Sequence, residues 1–187
     1  MYSVQPRISP LVATLLMALT LPMGLSQAAS LSKGDYETRK DRITADYKIE
    51  KAACDSHSGN AKDVCVEEAK AKEKVAKAEL EYAYTGKAAD RNKVLVVKAE
   101  TAYDVAKERC DDKAGNAKDL CVEEAKATKT KALADAKLGK EMQESRKDAS
   151  KDKQDADYKV AVEKCDAMAG DAKANCMAVA KAKFGKN

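Results

Sequence analysis

Tryptophan is absent from this 187-residue chain, and phenylalanine and histidine occur once each. A large aromatic-lined active site is therefore excluded, and any nucleophile paired with histidine would have to use His57. All three prolines, Pro6, Pro10 and Pro22, fall near the start, so nothing beyond residue 22 forces a helix to break. Large aliphatic side chains are scarce as well. Beyond residue 28, Leu, Ile, Val and Phe together supply 20 of 159 residues, whereas Ala alone supplies 32. That composition excludes a thick globular core. Charge of one sign is also missing: 35 basic residues oppose 31 acidic ones, interleaved along the chain. Such a balance supports weak attraction to anionic surfaces at most, and no nucleic-acid partner is expected.

What is present begins with a leader-like segment. Arg7, an apolar run from Leu11 to Leu21 and the small residues Ser26-Gln27-Ala28 give residues 1–28 the profile of a secretory signal cleaved after Ala28. The run is shorter than the roughly 20 residues needed to cross a bilayer, so no stable membrane insertion is expected after cleavage. The first cysteine is Cys54, too far along to carry a lipid at the cleavage site. A periplasmic or secreted location follows, where disulfides persist.

Residues 29–187 read as one helical domain built on an internal repeat. Tyr47 precedes Cys54, Tyr103 precedes Cys110 and Tyr158 precedes Cys165, each by seven residues. A second cysteine follows at the same separation in every unit, giving the pairs Cys54/Cys65, Cys110/Cys121 and Cys165/Cys176. Between the cysteines of the first two units the run Gly-Asn-Ala-Lys-Asp is identical, and the third is looser at Gly170-Asp171.

This run predicts a helical hairpin bend. Glycine permits the left-handed conformation that ends a helix, here at Gly59, Gly115 and Gly170. The next residue, Asn60, Asn116 or Asp171, is a favoured N-cap for the returning arm. Bends are thus expected near 57–61, 113–117 and 168–172. The cysteines stand at equal distances on either side, on facing arms. Six cysteines allow fifteen pairings, and hairpin symmetry selects 54–65, 110–121 and 165–176.

The expected fold class is all-α: disulfide-clipped antiparallel hairpins in an elongated coiled-coil-like bundle. Tyr36, Ile43, Tyr47 and Cys54 form one apolar stripe, and Leu95, Ala99, Ala102, Ala106 and Cys110 form another, both at coiled-coil spacing with Ala in place of Leu. Helices are expected over about 32–57, 60–113, 116–168 and 171–184, placing the first and third bends at one end. Gly86 and Gly139 fall inside the long pair, and because an interior Gly costs only about 1 kcal/mol, bending or fraying is expected there. Three separate hairpins flexibly joined at those glycines are the rival arrangement. Tyr82, Tyr84 and Val94–Val97 supply the largest apolar concentration, read as core in preference to a partner-binding patch.

No catalytic constellation emerges. The repeat positions equivalent to His57 are Lys113 and Met168, a variation suited to a solvated corner side chain. Zinc spacings and glycine-rich phosphate loops are missing, so no metal, cofactor or enzymatic activity is expected. The Cys-Asp…Gly-Asn-Ala-Lys-Asp-Val/Leu-Cys-Val-Glu-Glu-Ala-Lys-Ala pattern resembles a group of uncharacterised exported proteins of Gram-negative bacteria, loosely labelled TolA-like for their Ala/Lys/Glu/Asp-rich helices. The likeness covers most of residues 45–182 and implies an envelope protein with a stalk-like helix. In hairpin architecture the chain is also similar to small helical periplasmic chaperones such as Spy and CpxP, without their Leu-Thr-x-x-Gln motif. The expected function is a non-catalytic periplasmic interaction or structural protein whose partners are other envelope proteins. A chaperone-like holdase using the Tyr82/Tyr84 region, and a redox- or metal-responsive cysteine protein, are the alternatives.

Overall fold

The structure is a computed structural model and describes residues 31–186. The leader read at residues 1–28 lies outside the described residues. Five helices follow in order: α1 (Lys33–Ala53), α2 (Gly59–Thr85), α3 (Ala88–Cys110), α4 (Gly115–Asp166) and α5 (Gly170–Phe184), with a single 3-10 turn at Cys54–Ser56. The described residues contain no strand, and the fold is all-α as the composition requires. Ser32 opens α1 by accepting from the Asp35 amide and donating to the Asp35 carboxylate. That reciprocal cap satisfies an amide which the first helical turn leaves open.

Cross-helix pairs fix the direction of every neighbour. Between α2 and α3 they are Glu68–Arg109, Lys74–Asp104 and Glu79–Lys98, so each step forward on one helix is a step back on the other. Tyr36–Glu81, Glu50–Lys72 and Asp55–Lys62 set the same antiparallel order for the α1 region against α2. Asp155–Lys186 and Asp166–Lys173 do so at the α4–α5 hairpin. Among the described residues each long helix packs only against its neighbours in sequence. Layers this thin bury little. Among the described residues Leu80 and Val94 are the only large aliphatic side chains that are buried; the rest of the apolar core is Ala69, Ala78, Ala99, Ala125, Ala136, Ala180 and three cysteines.

One expectation about topology is corrected. The sequence suggested a continuous helix over 60–113, but Gly86 adopts φ +63° and ends α2, and α3 folds straight back beside it. The physical reason is local chemistry on both sides of the glycine. The Gly86 amide reaches the Tyr82 carbonyl, the Lys87 amide donates to the Thr85 hydroxyl, and that hydroxyl donates to Asp90 in the first turn of α3. These bonds make a tight turn where composition suggested only fraying, so the flexible-joint alternative does not describe this position either. As a result the first and second clipped bends share one end of the molecule, and the third lies at the other.

Gly139 behaves differently: it stays inside α4, a single helix of 52 residues. At 1.5 Å per residue α4 is about 78 Å long. α3 covers its first part and α5 its last, while residues 137–154 are exposed at every position. The apolar stripes are only partly as expected. Tyr36, Ile43 and Tyr47 are half-buried against α2, but Leu95 is 47% exposed, lining an open cleft between the start of α3 and Gly139, Met142 and Arg146 of α4.

The two glycines generate opposite predictions. A Cβ at Gly139 meets no atom within 4 Å, so Gly139→Ala should stabilise the chain by about 1 kcal/mol through helix propensity. Gly86→Ala places a side chain at positive φ and should destabilise it by about 1–2 kcal/mol. Thermal unfolding of the two variants checks both signs.

Candidate functional site

The three bends are the most elaborated features of the chain. Cys54 is bonded to Cys65, Cys110 to Cys121 and Cys165 to Cys176, with Cα separations of 5.6, 5.8 and 5.5 Å. Helix axes usually lie 8–10 Å apart, and the close approach here is possible because the neighbouring seam positions are alanine. Cys54, Cys110 and Cys165 are completely buried, whereas their partners are half-buried.

Each clip is accompanied by an ion pair at the same repeat position. Asp55 meets Lys62 at 2.9 Å, Asp111 meets Lys118 at 2.8 Å and Asp166 meets Lys173 at 3.0 Å. The Lys118 ammonium is held above its ordinary pKa, chiefly by its hydrogen bond to Asp111. Sequence reasoning missed this pairing, although its signal was present: an Asp directly after the first cysteine and a Lys three residues before the second in all three units. The pairs are exposed and fix the geometry of the corner more than they add stability.

The expected bend residues are present but divide the work differently. Gly59, Gly115 and Gly170 take φ of +57°, +55° and +55°, and they open the returning helices α2, α4 and α5 instead of closing the preceding ones. The N-cap positions are consequently Ser58, Ala114 and Ala169, none of which makes a side-chain cap. Asn60, Asn116 and Asp171 lie inside the first turn, and the Asn60 amide nitrogen is buried without a partner. The correction has a simple cause: the chain completes its reversal at the glycine, so the following residue is already helical.

His57, Lys113 and Met168 act through the backbone. Each donates its amide to the carbonyl of the first cysteine of its unit, at 3.0 Å in every case. A role carried by the main chain leaves the side chain free to be His, Lys or Met, and all three are exposed. The described residues contain no free thiol, and no three or more His, Cys, Asp or Glu side chains converge there.

A second concave region lies between α1 and α3 over the floor of α2. It encloses about 470 Å³ and is lined by Tyr36, Leu80 and Val97 with Lys40, Lys77 and Lys93 around the rim. Tyr36 donates to Glu81, and this hydrogen bond holds its phenol above the ordinary tyrosine pKa. A phenol so held stays protonated at neutral pH and serves as a structural donor, not a nucleophile. Tyr84 stacks on Tyr36 with ring centroids 4.6 Å apart, and Tyr82 and Tyr84 stand at the edge of exposure while Val94 is buried. The apolar concentration around residues 82–97 is therefore split between core and surface. No family model, curated protein or solved structure matches this chain.

Two variants separate packing from corner decoration. Tyr103 is half-buried with the Lys129 ammonium 4.8 Å from its ring centroid, so Tyr103→Ala should cost about 1–2 kcal/mol in thermal unfolding. His57→Ala should leave the melting temperature unchanged. A titration with thiol buffers, followed by alkylation and peptide mapping, should find three pairs reducing together at low potential. One pair reducing well before the others would instead indicate a redox-responsive bridge.

Proposed function

We propose that the chain is a non-catalytic helical interaction and structural protein of the bacterial envelope, working in the periplasm and holding two docking units apart along α4. The observation that carries this reading is α4 itself: it joins a layer formed with α1, α2 and α3 at one end to a clipped hairpin with α5 at the other, across an exposed helical span. A helix that buries neither face in its middle contributes little to folding and has value as a spacer. Support for the location comes from the leader pattern at residues 1–28 and from the three disulfides, which persist in an oxidising compartment. Among the described residues no helix is long and apolar enough to cross a membrane. The stalk-like composition shared with the TolA-like group is in keeping with this reading, as are partners drawn from the envelope.

The groove over α2 favours a second reading, a holdase that shelters apolar segments of unfolding clients between Tyr36 and Val97. Photo-crosslinkers placed at Tyr82 on the layer of α1, α2 and α3, and at Val179 on the α4–α5 hairpin, distinguish the two in intact cells. Discrete adducts with defined envelope proteins from both positions are expected. A heterogeneous smear confined to Tyr82 and growing under heat stress would favour the holdase, and absence of adducts from either position would overturn the spacer reading.

A further inference from the structure

α4 has an unpartnered face. Its four exposed large apolar side chains, Leu120, Leu138, Met142 and Val160, are 48–57% exposed. On a wheel of 100° per residue they fall within about 40° of one another. α3 packs on α4 against Ala125 and Ala132, and α5 does so around Ala161 and Cys165. Met142 and Val160 lie at the margins of those contacts, Met142 in an open cleft beside Leu95 of α3 and Val160 in one beside Val179 of α5. One straight stripe therefore runs the length of α4 with about half of each large side chain still exposed.

The internal repeat identifies what that stripe resembles. Aligned on the cysteines, the first part of α4 is the equivalent of α2 and its last part is the equivalent of α3. Those two helices already pack against each other in this molecule, joined by Glu68–Arg109 and Glu79–Lys98. The equivalent residues on α4 are Glu124 with Lys164, and Asp135 with Lys153. Both ion pairs keep their signs. Val105, half-buried in α3, has Val160 as its counterpart, and Val64 of α2 has Leu120. The third pair, Lys74–Asp104, is replaced by Thr130 and Lys159 and is not reproduced.

Because α4 is unbroken through Gly139, Glu124 and Lys164 lie at opposite ends of one rod and do not meet within a chain. We propose that they meet between chains: α4 pairs antiparallel with α4 of a second copy, repeating between molecules the α2–α3 interface formed within each. Glu124 of one copy then faces Lys164 of the other, and Asp135 faces Lys153. The two pairs share a single midpoint, as a two-fold interface demands. That midpoint falls inside the exposed 137–154 stretch, next to Met142, so the exposed middle of α4 becomes the centre of the dimer. Charge complementarity selects the antiparallel orientation, since a parallel pair in register would set Lys164 against Lys164 and Glu124 against Glu124.

The proposal does not depend on which envelope partners the protein has, and it is tested on purified chain from residue 29 with its disulfides intact. Sedimentation should report a dimer. Glu124→Lys and Lys164→Glu, made separately, each turn two attractive contacts into repulsive ones and should raise the dissociation constant about tenfold. Combining them should restore it. Met142→Glu should abolish association with circular dichroism unchanged, because Met142 is half-exposed in its own chain and borders only an open cleft beside Leu95. A monomer at all concentrations, a dimer indifferent to these changes, or single losses without rescue in the double variant would each overturn the proposal. So would a monomer in which α4 opens at Gly139 and the same reversals lower only the melting temperature.

Discussion

A disulfide across each bend sets how closely the two arms of each clipped hairpin run, and that spacing determines what the seams are made of. Arms held with Cα atoms under 6 Å apart at the clip leave no room for leucine between them, and alanine fills half of the buried positions among the described residues. Alanine has high helix propensity and loses no side-chain entropy on burial, but it removes little apolar area from water. The chain therefore forms helices readily and packs them weakly. Closing loops of about a dozen residues contributes roughly 3 kcal/mol each on the chain-entropy estimate, comparable in total to the whole net stability of a small domain.

The second constraint is where the chain turns without a clip. Gly86 and Gly139 follow their bends at similar distances, yet one reverses the chain and the other is absorbed into a long helix. The conformational preference of glycine is the same at both, so the difference comes from neighbours. Thr85 and Asp90 supply hydrogen bonds that satisfy the start of a new helix, whereas Leu138, Lys140 and Glu141 are ordinary helix formers. This one difference turns three equivalent hairpins into an unequal arrangement, with two side by side and the third carried away on α4. It also explains why the repeat leaves one interface formed inside the molecule and its counterpart on α4 open.

Much of the fold was legible because its determinants are local. Helix class followed from Ala, Lys and Glu content, the repeat from the spacing of Tyr and Cys, and the seam of α1 from Tyr36, Ile43 and Tyr47. The turn at Gly86 was not legible from the cost of glycine alone, because the decisive bonds involve the flanking Thr85 and Asp90. Asn60, Asn116 and Asp171 look like caps, but the reversal ends one residue earlier than the usual motif places it. At the bends the Asp–Lys pairs were readable from their repeated positions on arms that the hairpin already sets face to face. Leu95 is not buried as its stripe implied because it lines an open cleft between α3 and α4, a tertiary effect with no signature in spacing.

For function the consequence is a division of labour. Clips and alanine seams provide stiffness, the exposed faces of α4 and the groove over α2 provide surface, and the described bends hold their cysteines as bridges without free thiols. The measurement that tests this account most directly is thermal unfolding of the oxidised chain beside the fully reduced and alkylated chain, followed by circular dichroism. If the bridges hold thin seams together, reduction should lower stability by several kcal/mol, on the order of 3 per bridge, while part of the helical signal survives at low temperature. A reduced chain that melts cooperatively at the oxidised temperature would contradict the account.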